Sequence, residues 1–248
     1  MLDPELISET LEALSDKDTA RRRGKHLKPF RGLRGTPVTE IAQVTGTCWK
    51  ESRPRLPDHE AELHALFCTA FEDGLVAIGL LAGVAPDSPY GALDLVDRWL
   101  PLVDDLETAD ALGWLVLGPS LLASGEPLSA SLLEHRGGRA LSRRVAVVAA
   151  LAALPVPVTG PSAAALRVRL GQRQVVFVEE PRGVEVAGVL AGYVRDDDPH
   201  VRKAVARVGR LLGEVAPDAL EPLLDLAGGL PKKVRESWQK GQRRGRRV

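Results

Sequence analysis

The residues best suited to chemistry are basic side chains at helical spacing beside a small number of carboxylates. Lys203, Arg207 and Arg210 fall at i, i+4 and i+7, largely opposite an apolar stripe of Val201, Ala204, Val205, Val208, Leu211 and Leu212. Three cations on one face attract phosphates, although the same pattern also makes an ordinary solvated face. Arg143 and Arg144 precede the apolar run Val145 to Leu154, near a helix start, where the dipole disfavours positive charge. An anion must offset them, either a phosphate or the acidic cluster around Asp105. Asp110 sits among Leu106, Ala109, Gly113 and Val116 at helical spacing, on or beside an apolar face, where a carboxylate needs a partner. It can stabilise a developing cation or activate water, or it can pair with Arg143 or Arg144. Trp114, one turn later, is either core or a flat surface for a ligand.

These side chains need helices to position them, and helical signals recur along the chain with short breaks. Leu6, Ile7, Thr10, Leu11 and Leu14 keep a helical period over Pro4 to Leu14, after which the basic stretch interrupts it. Thr36, Pro37 and Glu40 read as a cap and first turn for a helix reaching about Gly46. Further helices are expected over Asp58 to Ala70, Asp73 to Ala82, Ser88 to Leu100, Asp105 to Leu121, Pro127 to Glu134 and Arg139 to Leu154. The last third adds Arg182 to Arg195, Pro199 to Glu214, Pro217 to Leu226 and Lys232 to Lys240, with Asp198 before Pro199 a strong start signal. Short paired helices, none able to bury its apolar face alone, predict an all-α, HEAT-like solenoid, with a compact bundle as the alternative.

One segment departs from this pattern. Ala165 to Leu170 alternates apolar and basic residues, Gly171 and Gln172 intervene, and Arg173 to Val178 follows. Alternation around a Gly-containing pair predicts a small inserted β-hairpin near 165–178, within a segment spanning 155–181. Arg167, Arg169 and Arg173 on one of its faces suit phosphates or a groove, while a hairpin capping a helix end is the plainer reading. The remainder, residues 1–240, reads as a single domain, with 241–248 a basic, disordered tail that adds nonspecific DNA affinity or only solubility.

Composition agrees with helices packed through small side chains, since 44% of the 248 residues are hydrophobic but only 4% aromatic. Net charge is zero, so no strong monopole steers the molecule towards polyanions. The charge is segregated, however. Arg21, Arg22, Arg23, Lys25, Lys28, Arg31 and Arg34 crowd one stretch, Lys240 to Arg247 another, and acid gathers at Asp104 to Asp110 and Asp196 to Asp198. Two cysteines are too few for a disulfide framework, and no run of about 18 apolar residues occurs, which points to a cytoplasmic protein without membrane contact. Cys48, His59, His64 and Cys68 match no familiar zinc spacing. Neither a phosphate loop nor a dinucleotide fingerprint is present, so no cofactor is expected.

Four motifs in order connect these observations. Asp94 to Leu121, with Trp99, Val103, Asp104, Asp105 and Asp110 leading into Gly118 and Pro119, resembles the core segment of the AlkD-like DNA alkylation repair family. Leu141 to Ala146 is similar to that family's Arg-Arg helix start, Val201 to Val205 to its V-R-K-A-I helix, and Phe30 to Pro37 to its F-x-G-x-x-T-P element. The resemblance covers most of the chain. It implies a HEAT-like solenoid with a concave basic face that grips DNA, and glycosylases that remove cationic alkylated purines. It further implies that Asp110 corresponds to the carboxylate stabilising an oxocarbenium-like transition state, and Arg143 or Arg144 to the strand-holding arginine.

The aromatic residues depart from the pattern. Leu106 stands where the resemblance implies a Trp one turn before the carboxylate, and Arg207 where it implies the second Trp. Leu offers no indole face to a cationic nucleotide, and Arg repels one. Leu106 and Trp114 are the candidates to face a lesion. The expected hairpin resembles a variation in non-catalytic members associated with branched DNA. The leading expectation is therefore a monomeric DNA-binding repair protein recognising damaged or structured DNA by backbone contacts. A DNA glycosylase using Asp110, or a helical protein-interaction scaffold, are the alternatives.

Overall fold

The computed structural model describes residues 2–27, 29–157, 161–169, 177–225 and 230–246. These residues form helices and connecting turns, with no strand among them. Near the N-terminus, α1 (Pro4–Ala13) and α2 (Lys17–Gly24) are each started by an aspartate, Asp3 and Asp16, whose carboxylates accept backbone N–H groups of the first turn. α2 lies inside the basic stretch that was expected only to break the helical pattern. α3 (Val38–Ser52) begins after Pro37 without a side-chain cap. Thr36 is not the expected cap, because it is fully buried and donates its hydroxyl to the Leu11 carbonyl at 2.8 Å.

The next helices are α4 (Glu60–Thr69), α5 (Phe71–Val84) and α6 (Pro89–Trp99), and then α7 (Leu106–Leu112), which passes through a π-helical turn over Gly113–Leu117 into α8 (Gly118–Ser124). α9 (Leu128–Glu134) and α10 (Ala140–Ala149) precede α11 (Pro161–Arg169), α12 (Gly183–Tyr193), α13 (Pro199–Val215), α14 (Pro217–Leu224) and α15 (Lys232–Gly245). Two rows emerge from their packing. In one row α3, α5, α7, α10, α13 and α15 each touch the next, and in the other α1, α4, α6, α8, α9, α12 and α14 do the same. Each helix buries its apolar face against its neighbours in both directions, as a serial array requires. Among the described residues no helix is long and apolar enough to cross a membrane.

The expected hairpin is not seen. Ala165 to Arg169 is helical, part of α11, and Leu170 to Val176 lies outside the described residues. The alternation from Ala165 to Leu170 does not decide the local structure. Pro161 at the first helical position and the three successive alanines Ala163 to Ala165 favour helix over strand. α11 packs across α3, α5 and α7, burying Ala163 and Leu166.

The C-terminal end also departs from expectation, since α15 continues to Gly245, past the end expected at Lys240. Glycine spacing explains the docking. A Cβ at Gly241 would lie 2.0 Å from the Arg210 carbonyl oxygen, and one at Gly245 would lie 2.4 Å from that of Gly213. Four residues apart on one face, the two glycines let the backbones of α15 and α13 meet. Trp238, fully buried above them, donates its indole N–H to the Val205 carbonyl at 3.1 Å.

Candidate functional site

Three consecutive helices of the first row, α7, α10 and α13, meet at Asp110. α7 is fixed at its start by Asp105, whose carboxylate accepts the Thr108 backbone N–H at 2.8 Å. Beyond Asp110 the helix widens, and the Gly118 N–H bonds the Gly113 carbonyl five residues back. This wider turn brings Gly113 and Gly118 to the same side, against α10. Added Cβ atoms would lie 2.5 Å from the Val145 oxygen and 2.3 Å from the Ala149 oxygen. The two glycines thus bring α7 and the turn after it close enough to α10 for Arg144 to reach Asp110.

Arg144 holds Asp110 through two bonds, Nε to Oδ1 at 2.8 Å and Nη2 to Oδ2 at 3.0 Å. Its remaining nitrogen, Nη1, donates to the His200 carbonyl at 2.6 Å, tying α10 to the first turn of α13. Arg207 of α13 approaches Oδ2 of the same carboxylate at 3.2 Å. The arginine side chains are 9% and 24% exposed and that of Asp110 is 22% exposed, so the cluster is shielded but not sealed. Two cations share one anion.

Trp114 supplies the floor. It is fully buried in the π-helical turn, and the Arg207 guanidinium lies over its ring, 4.9 Å from the centroid. Burial is the main influence on Arg207 and draws its pKa below the ordinary range, while Asp110 pulls the other way. The guanidinium remains a cation, held between a carboxylate and an indole face.

The other basic side chains expected at the site are distributed differently. Arg143 turns away from Asp110 and grips Asp196 through Nε at 2.7 Å and Nη2 at 3.1 Å, and its hydrogen bond to Asp196 is the first cause of its raised pKa. Arg210 pairs with Glu214 at 2.8 Å. Lys203 is exposed and stands apart, facing the start of α15. Leu106 is half-buried at the start of α7, one turn before Asp110, whereas Trp114 presents no surface to solvent. Arg167 and Arg169 belong to α11, and Arg173 lies outside the described residues.

Of the acidic cluster, Asp110 meets Arg144, but the Asp104–Asp105 pair meets neither Arg143 nor Arg144. Its partner is Arg31, whose Nη2 lies 3.0 Å from Asp104 and 3.7 Å from Asp105. The early basic stretch likewise turns partly inward. Arg34 binds Asp73 at 3.0 Å, and Arg23 lies 3.6 Å from Glu72, both carboxylates being fully buried. Sequence spacing carried no signal for these pairings between distant segments, and the buried acids Glu72 and Asp73 were not anticipated. Trp99 donates to His64 Nδ1 at 3.1 Å, giving one of the histidines considered for metal binding a structural partner.

No curated protein and no solved structure matches the chain significantly. The family model described as DNA alkylation repair enzyme matches residues 7–233. With the motifs in order and nearly the whole chain covered, this protein belongs to the DNA alkylation repair enzyme family.

Proposed function

We propose that this protein acts in DNA repair by binding damaged or structured DNA through its phosphate backbone, using a concave basic face of the helical array, without efficient base excision. One observation supports this reading above others: the space between Asp110 and Trp114 is filled by the protein's own Arg207. A carboxylate beside an indole face would suit a cationic alkylated base and the positive charge that develops on the sugar as it leaves. Here both carboxylate oxygens are engaged by guanidinium groups, so the field Asp110 offers to a third cation is largely compensated. Arg143, Arg144, Arg207 and Arg210 contact phosphates in this account only by exchanging or sharing a carboxylate partner, while Lys203 needs no exchange. Arg167, Arg169 and Arg173 remain proposed contacts from the inserted segment.

A second reading is an active glycosylase using Asp110, favoured by the partial exposure of that side chain. In it, a phosphate draws Arg207 off the carboxylate and Asp110 then supports water attack on the N-glycosidic bond. Titration of the purified protein against duplex, junction and single-stranded DNA at two salt concentrations tests the binding claim. Salt-sensitive binding is expected. Affinity equal to that of an unrelated neutral protein overturns it.

A further inference from the structure

Most arginines considered above are answered by carboxylates, but one group of cations is not. α13 and α15 run side by side in the same direction: Val234 and Pro231 face Pro199 to Ala206, Trp238 meets Gly209, and Gly245 meets Gly213. Their first turns therefore open together on one edge of the array, enclosing a groove of about 380 Å³. Arg202 and Lys203 line it from α13, Lys232 and Lys233 from α15, and no carboxylate is among the lining residues. Among the described residues Arg202, Lys203 and Lys233 have no ion pair, and Lys232 reaches only the exposed Glu236 at 4.0 Å.

We infer that this groove is a docking site for the phosphodiester backbone of DNA, an inference that rests on the DNA-binding reading above. Four like charges converge on one groove and repel one another, and Lys232 and Lys233 stand in the first turn of α15, where the helix dipole disfavours cations. A polyanion offsets both penalties. Packed helices lie about 8–10 Å apart, and one strand of duplex DNA presents a phosphate about every 3.4 Å of axial rise. Because the strand also winds around the axis, neighbouring phosphates are farther apart than this rise, and cations from the two helices can engage about two successive phosphates. The side walls, Pro199, Ala206 and Val234, offer no donor pattern for reading base edges, so the contact is independent of sequence.

The test compares wild type with a variant carrying Arg202→Ala, Lys203→Ala, Lys232→Ala and Lys233→Ala, in binding to a fluorescent duplex across a salt series. A control removes four cations elsewhere: Lys17→Ala, Arg21→Ala, Lys25→Ala and Lys50→Ala. Circular dichroism checks that all three proteins are folded. Each lost phosphate contact lowers the salt slope by about 0.9, so the groove variant is expected to lose about 2 in slope and about thirtyfold in affinity near 0.15 M salt. The control is expected to stay near wild type. An unchanged slope in the groove variant, while wild type binds, overturns the groove and leaves the DNA-binding reading intact. An equal loss in the control also overturns it, as does failure of wild type to bind, which removes the DNA-binding reading too.

Discussion

Replacing Asp110 with Asn separates a carboxylate held in place as a structural counter-ion from one reserved for catalysis. Arg144 Nη2 and Arg207 Nη1 both contact Oδ2, at 3.0 and 3.2 Å, so the two guanidinium groups lie within about 6 Å of one another. At an effective dielectric of about 20 their repulsion is on the order of 2–3 kcal/mol, and it is Asp110 that offsets it. Asn keeps the shape but removes the charge, and its amide nitrogen can face a guanidinium only as a second donor. Loss of the charge-assisted bonds adds to the cost, whereas the partial exposure of Asp110 and Arg207 reduces it. The expected destabilisation is about 3 kcal/mol, or about 6–12 °C in Tm for a domain of this size. Thermal and urea unfolding monitored by circular dichroism measure it. The double variant Asp110→Asn with Arg207→Gln should be more stable than the sum of its single effects predicts, because it removes one of the two cations that repel each other across the neutralised position. A carboxylate kept for chemistry at the expense of stability behaves oppositely. An Asp110→Asn protein as stable as wild type, or more so, refutes the counter-ion argument.

Other positions test the scaffold. Gly118→Ala places a Cβ 2.3 Å from the Ala149 oxygen, so α10 must move, and a loss of about 3 kcal/mol or more in urea unfolding is expected. Asp198 caps α13 by accepting the His200 and Val201 N–H groups at 2.7 and 3.2 Å, and Asp198→Ala should cost about 1 kcal/mol in the same measurement. Asp105 predicts a pH dependence. Burial pushes its carboxyl up to about 6, against the downward pull of Thr108 and Arg31. The folded protein therefore keeps a proton that the unfolded chain gives up near the ordinary 3.8, and this contribution to stability is complete below about pH 4 and lost as pH rises through about 6. Urea midpoints for wild type and Asp105→Asn should differ most in favour of wild type near pH 4, with that advantage shrinking by pH 7. A difference that is flat across this range contradicts the assignment.

Much of the array was legible because local rules decide it. The apolar stripe from Val201 to Leu212 and the Asp198 cap specify α13 without reference to anything distant. The pairing of Asp110 with Arg144 was among the readings left open, since a half-buried carboxylate on α7 must find a cation. What local rules could not give were partners set by tertiary packing. Arg143 and Arg144 are adjacent in sequence but bond Asp196 and Asp110 respectively, because successive positions on a helix point about 100° apart. Arg31 meets Asp104 across the fold, and no spacing rule spans that separation. The α11 segment failed for the opposite reason. A short alternation was given more weight than the alanines before it and than Pro161, which starts the helix. Gly241 and Gly245 fall in the stretch read as a basic tail, and although glycine lowers helix propensity, here the two allow the backbone contact that docks the helix.

A single-turnover assay on a methylated duplex separates DNA binding from base excision by this protein. Protein in excess over DNA, at a concentration where the same duplex is fully bound, removes affinity from the readout, and the released free alkylpurine is measured over time. Release is expected to stay at the rate of the uncatalysed duplex while the DNA remains bound. Release well above that rate, abolished by Asp110→Asn in protein shown to be folded and still bound, would contradict binding without efficient base excision and assign the carboxylate to catalysis.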